Sequence, residues 1–475
     1  MNTHGHFKKK LLALALPGVF AAGPALAIQP PTFYGVDFVA TAAFGVDMND
    51  AGDVVGTSYR DTGCGSTCLP PLDTVVWRDG VRVVLPSLPG LTPVTVTGIN
   101  NNGWISGYAG FDYSNARGVV WEPSGTGYLA QDVGLAAGTT MSFMYDIDDT
   151  NRGVGFATTV TFPPTSAPIQ WTQAGGLVNL ASQGAPSEEP LALSPGGTVA
   201  TATTWYSLDN LLGWQPLIPS PAGFYSPGNY PTAINDLGDQ VRFLQTTTSE
   251  SLSYLFRYKH QGEWQQIWPV GSGLLLPFGV GSVNADGDIT ATAAGTGIVA
   301  YGPDGMGQSL ASLLSPAYLG AGVTVAGPMN ASGEILARVT LGQSARVVKL
   351  VPIEPCTANC IRVSTMQIKG KFINDPSFPG SCTPAASNKV QVTLTVKNEA
   401  GAPMRGVTVS GRFLDDYWTN KPVSARTNSS GIAKFSYSGL ACVGAVVFLV
   451  DNATGGTSTF DRSTGELVKS VIPLP

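Results

Sequence analysis

Seven times between residues 45 and 339 the chain returns to one short pattern. The three clearest copies are "GVDMNDAGDVVGTS" (45–58), "VTGINNNGWISGYA" (96–109) and "MYDIDDTNRGVGFA" (144–157). Weaker ones follow in "PLALSPGGTVATAT" (190–203), "TAINDLGDQVRFLQ" (232–245), "GSVNADGDITATA" (281–293) and "GPMNASGEILARV" (327–339). The Asn-like position of each copy is Asn49, Asn100, Asp148, Ser194, Asn235, Asn284 and Asn330, with spacings of 51, 48, 46, 41, 49 and 46. A period in the forties is one supersecondary unit repeated, and such a unit buries its apolar face only against its neighbours.

Each unit reads as four antiparallel strands. An apolar run enters Asn/Asp-x-x-Gly and a β-type run leaves it; Asn or Asp bonds its own backbone two residues on, and Gly supplies the positive φ of a tight turn. A third run ends near an aromatic, as in "TVVWRDG", "RGVVWEPSG" and "APIQWTQAGG", and a second turn leads to a fourth run such as "VRVVLPSL". Trp77, Trp121 and Trp171 recur at one repeat position and are expected in the core between units. Four strands per repeat predict an all-β fold, a seven-bladed β-propeller from repeats of about 47 residues. A stacked solenoid is the alternative, but it requires polar caps. The spare strand-like "TFYGVDFVAT" (32–41) would complete the seventh sheet and close a ring.

The consensus Ile/Val-Asn-Asx-x-Gly-x-Val-x-Gly, followed by a strand ending in Trp and a Gly turn, resembles the HAF family of probable extracellular repeat proteins over about residues 33–350. The resemblance implies secretion and a propeller-like array, and brings no activity with it.

The N-terminus agrees. A basic "MNTHGHFKKK", an apolar "LLALALPGVFAAG" and a small-x-small site at Ala25-Leu26-Ala27 predict a signal peptide over 1–27 and a secreted or periplasmic protein. No later run of 18 apolar residues predicts a membrane span. The formal charge of −6, more negative by three once Lys8, Lys9 and Lys10 leave, does not suit nucleic acid or an anionic membrane. In an exported chain the even number of cysteines, Cys64, Cys68, Cys356, Cys360, Cys382 and Cys442, favours disulfides over free thiols. Local bridges 64 to 68 and 356 to 360, with 382 to 442 stapling the sandwich, are favoured over the competing bridges across a ring seam and a four-thiolate zinc site.

Beyond Val351 the repeat is lost. Residues 353–368 read as a linker, and 369–475 as a β-sandwich whose "NEAGAPMRGVTV" and "TNSSGIAKF" resemble bacterial Ig-like domains. The domain scheme is thus 1–27 signal peptide, 28–352 propeller, 353–368 linker and 369–475 Ig-like sandwich. The Ig-like resemblance implies a spacer, stalk or binding accessory.

Chemistry is sparse. "DMNDAGD", "INDLGD" and "NADGDI" resemble fragments of calcium loops, but turn chemistry, not ligand oxygen, persists across the copies, so no cofactor is expected and calcium in one or two turns is the competing reading. After cleavage His260 is the one histidine, in the turn "YKHQGEW", and no nucleophile elbow or two-His motif exists. Phe224, Tyr225, Tyr230, Tyr417 and Trp418 stand in turn-like contexts where exposed rings would stack on a sugar; loop packing is the plainer role. The expected function is therefore non-catalytic binding of an extracellular ligand, a glycan or a protein. The alternative is a secreted glycosidase or lyase using Asp/Glu at the propeller mouth.

Overall fold

The fold is built from one turn used again and again. The side-chain oxygen of Asn49 accepts the N–H of Asp53 at 2.9 Å, while Gly52 N–H donates to the Asn49 carbonyl at 2.9 Å. Asn100, Asp148, Asn235, Asn284 and Asn330 accept the N–H groups two and four residues on, at 2.8–3.1 Å. Ser194 accepts the one four residues on, at 2.8 Å. The fourth turn position lies at positive φ in every copy: Gly52, Gly103, Gly197, Gly238, Gly287, Gly333, and Asn151 in the third, where Asn tolerates the left-handed region. The same device recurs at Asn428, outside the repeats.

The structure, a computed structural model, describes residues 30–472 apart from 42, 61–70, 112–114, 161–163, 218, 226–230, 249–251, 260–261, 273–280, 294, 373–387, 416–419 and 439–444. Among the described residues each repeat forms its own small antiparallel sheet. The first consists of Ala43–Met48, Val54–Tyr59, Leu72–Arg78 and Val81–Val84, paired in chain order. In the seventh, Gly322–Met329, Ile335–Leu341 and Ser344–Ile353 are joined by Phe33–Ala40, the spare N-terminal strand, antiparallel to Ser344–Ile353. The fold is all-β and propeller-like.

Successive sheets pack face on face. Val55 and Val76 of the first repeat share a core with Val96, Ile105 and Trp121 of the second; Val120 of the second shares one with Met144, Ile169 and Trp171 of the third. Met48, Val54 and Trp77 of the first meet Leu336 and Val347 of the seventh, so the last sheet packs on the first. Trp121 is fully buried and its Nε1–H donates to the Pro86 carbonyl at 2.7 Å, satisfying the one polar atom the ring carries into the core. The final Gly of the repeat consensus also finds its cause. A register shift bulges the first strand, and a Cβ on Gly56, Gly107 or Gly155 would meet the carbonyl oxygen of Phe44, Thr95 or Phe143 at 1.9–2.0 Å.

After the repeats, two more four-stranded sheets pack together through Val392, Leu394, Phe413, Phe435 and Phe448. Phe413 and Phe435 each stand 4.9 Å from Phe448, ring to ring. Here the expected linker needs correction, because Cys360–Lys371 is a long strand paired with Lys389–Lys397. Cys356 and Cys360 are disulfide-bonded; Cys64, Cys68, Cys382 and Cys442 lie outside the described residues. No helix among the described residues is long and apolar enough to cross a membrane.

Candidate ligand cavity at the turn end of the ring

The seven turns are stitched to one another. Asn49 Nδ2 donates to the Asn100 carbonyl at 3.1 Å, and Asn100 Nδ2 to the Asp148 carbonyl at 2.7 Å. Asp149 N–H reaches the Pro195 carbonyl at 2.8 Å, and Gly196 N–H the Asp236 carboxylate at 2.8 Å. Asn235 Nδ2 donates to the Asn284 carbonyl at 3.0 Å, and Met329 N–H to Ser282 Oγ at 3.0 Å. Ala331 N–H then donates to Asp50 at 2.7 Å, which returns the circuit to the first turn. Asn49, Asn100 and Asn235 thus serve two turns at once, the oxygen on their own backbone and the nitrogen on the next repeat, whereas Asn284 and Asn330 turn their nitrogens to Asp288 and Glu334 of their own turns.

Inside this circuit lies a cavity of about 590 Å³, walled by the first strands and turns of the repeats. Among the described residues six carboxylates line it, from Asp47, Asp50, Asp146, Asp149, Asp236 and Asp286, and no Lys, Arg or His does. Apolar residues line it as well, among them Val46, Ile99, Ile147, Leu193, Ile234 and Val283.

Asp47 and Asp146 hold the same position, two residues before the turn Asn or Asp of the first and third repeats. Asp47 Oδ1 accepts Met48 N–H and its Oδ2 accepts Ile99 N–H of the next repeat, both at 2.8 Å. Asp146 accepts Ile147 N–H at 2.8 Å and is bonded to the backbone of Leu193 in the fourth repeat. Ser282 does the same for Met329 in the seventh. These oxygens are staples between adjacent sheets. Both carboxylates line the cavity wall yet are surrounded by protein, so desolvation dominates. Burial pushes the Asp47 carboxyl up to about 6 against the opposing pull of its two backbone N–H donors. Asp146 is held well above the usual carboxylate range, first by burial and then by the negative charge of Asp47, with Asp148 adding to it. Gly98 occupies this position in the second repeat, between them in sequence.

Of the five aromatics, Phe224 and Tyr225 belong to the described residues, and neither lines this cavity. Phe224 packs edge-on against Tyr254 at 5.6 Å and Phe256 at 5.0 Å on the fifth sheet. Tyr225 is 42% exposed and its hydroxyl donates to Gln245 at 2.7 Å. Tyr230, Tyr417, Trp418 and His260 lie outside the described residues. No group of three or more His, Cys, Asp or Glu poised for a metal occurs among the described residues. The staple carboxylates escaped the sequence reading although their shared offset from the turn Asn or Asp was visible.

No family model and no curated protein matches the chain. Solved structures match at low similarity. A PQQ-bound aldose sugar dehydrogenase from Streptomyces coelicolor has 14% identity over 68% of this chain and 99% of that one, with a TM-score of 0.31. The extracellular domain of a hybrid two-component system from B. thetaiotaomicron has 9% identity over 86% and 84%, with a TM-score of 0.23. A neuraminidase-like protein from A/bat/Guatemala has 10% identity over 70% and 94%, with a TM-score of 0.27.

Proposed function

We propose that the chain is a secreted, seven-bladed β-propeller of the HAF repeat type, residues 28–352, bearing an Ig-like sandwich at 369–475, and that it binds an extracellular ligand in the central acidic cavity without turning it over. The observation that carries this reading is the cavity lining: among the described residues it has six carboxylates, no cationic side chain and several apolar residues. Such a pocket favours a ligand with cationic or hydroxyl groups and an apolar face, of which an amino sugar is one form, and it repels uronates and sulfated sugars. The absence of turnover is supported by Asp47 and Asp146, each engaged by the backbone N–H of its chain neighbour and by the backbone of another repeat. The test is a glycan array with paired amino and acidic sugars, followed by titration calorimetry on Asp286→Asn and Asp149→Asn. Amino-sugar binding that weakens with salt and falls several-fold in the variants is expected. Preference for acidic glycans, or binding indifferent to both substitutions, overturns the assignment.

One observation favours the carbohydrate-active alternative: Asp47 and Asp146 are carboxylates on different sheets, at one cavity, with raised proton affinity. Glycoside hydrolysis requires one carboxyl protonated and one ionised. Release of reducing ends that Asp47→Asn and Asp146→Asn each abolish would establish it.

A further inference from the structure

A ring of sheets opens at the place where its two chain ends meet. Here that place is the strand Phe33–Ala40, the first strand among the described residues, which pairs with Ser344–Ile353 of the seventh sheet. In the first repeat the chain then turns inward to Ala43–Met48. If Phe33–Ala40 peels away, the first repeat loses its strand-level tie to the seventh.

The last module sits on this strand. Arg462 Nη2 donates to the Val36 carbonyl at 2.8 Å and pairs with the Asp37 carboxylate at 2.6 Å. The same guanidinium reaches the hydroxyl of buried Tyr318 from Nε at 3.1 Å and Nη2 at 3.0 Å. Its own carbonyl accepts Ser315 Oγ at 2.7 Å, while Ser315 N–H donates to the Tyr34 carbonyl at 2.9 Å. Gly35 makes the approach feasible, since a Cβ there would come within 3.0 Å of Arg462 Cζ and Nη2. A second arginine, Arg412, lies over the Phe38 ring at 4.5 Å and is oriented by Asp451 at 2.8 Å. On the same strand, Tyr34 and Val36 belong to the same buried core as Ile361, Val363 and Leu467.

Modules joined in one chain ordinarily move against each other unless their interface is large and apolar. This interface has a shared core and a half-buried arginine whose donors meet a carbonyl, a carboxylate and a phenol, an arrangement that gives directional specificity. We infer that the C-terminal module is a clasp: it holds the ring-closing strand Phe33–Ala40 in place, so that opening the ring requires undocking of the module. This stands independently of any ligand in the cavity, and it assigns the module a task other than that of a spacer.

The experiment is hydrogen exchange by mass spectrometry on the full-length protein and on Arg462→Met, which keeps the aliphatic stem and removes the guanidinium. Peptides covering 33–40 and 344–353 should exchange at least tenfold faster in the variant, while peptides within 94–158 keep their rates, because only the seam is loosened. Gly35→Val, which adds a β-compatible side chain where the guanidinium lies, should give the same pattern if Arg462→Met folds poorly. Unchanged exchange over 33–40 in the folded variant, or acceleration confined to 360–471, overturns the inference.

Discussion

Gly98 and Asp146 are fitted to each other: a Cβ built on Gly98 would lie 2.3 Å from Asp146 Oδ1. Gly98 stands where Asp47 and Asp146 stand in the flanking repeats, so the second repeat gives up its own staple to leave room for its neighbour's. Gly98→Ala should therefore displace the Asp146 carboxylate, weaken its bond to the fourth repeat and destabilise the protein by about 1–3 kcal/mol, as overpacking does. Urea denaturation measures this; an unchanged midpoint would show that Asp146 moves aside at no cost.

The bulge glycines make a sharper steric case. Gly107 faces the Thr95 carbonyl, with only 2.0 Å available to a Cβ, and backbone cannot swing away as a side chain does. Gly107→Ala should cost more than Gly98→Ala, about 3 kcal/mol or more, and should disturb the pairing of Val94–Ile99 with Ile105–Ala109. Comparing the two midpoints in one series ranks them, and a smaller loss for Gly107→Ala would contradict the argument.

Much of this was legible because a turn is a local object. Asn49, Gly52 and Asp53 act on one another within five residues, and the period of their recurrence announced the sheets. The staples were not legible, since Asp47 works on Ile99 N–H, 52 positions away, and nothing local distinguishes it from a solvated turn carboxylate. The strand Cys360–Lys371 reads in sequence as partly linker for a different reason. Its register shifts between Val363 and Thr365, so buried positions run Ile361, Val363, Met366 and break the alternation that marks a strand. For the aromatics, context misleads: Phe224 reads as a turn residue but belongs to a short strand paired with Gln240–Thr246.

The repeat turns separate architecture from metal chemistry. Gly52 has φ +79°, and its Cβ position lies 2.7 Å from Lys349 Nζ, so Gly52→Val meets both a strained backbone and a neighbour. A loss of about 1–3 kcal/mol is expected, with a smaller one for Gly52→Asn, because Asn151 already fills this conformation in the third repeat. Adding a chelator to the unmodified protein should leave the melting temperature where it was. A fall of many degrees that calcium restores would assign the turn carboxylates to metal binding.

Asp47→Asn should stabilise the protein near neutral pH, contrary to the usual effect of removing a bonded carboxylate. Burial raises this carboxyl to about 6, whereas the unfolded chain titrates near 3.9. Between about pH 4 and about pH 6 the folded state therefore binds more protons than the unfolded one, and the Asp47 contribution to stability falls as pH rises through that window. Above it, the ionised Asp47 also faces Asp146, whose proton affinity its charge raises. Asn keeps an oxygen for Ile99 N–H and removes the charge, at the loss of the acceptor that Asp47 offers Met48 N–H. At pH 7.5 the gain should be on the order of 1 kcal/mol, discounted for access to water in the cavity, and at pH 4.5 it should vanish because the acid is already protonated there. Carboxylates such as Asp73, held low by the hydrogen bond from Arg60 and by Arg82, impose the opposite slope on the whole protein, so the readout is the difference between variant and parent at each pH. Equal destabilisation at both pH values would mean that the staple needs a carboxylate, and the raised proton affinity would lose its place in the argument.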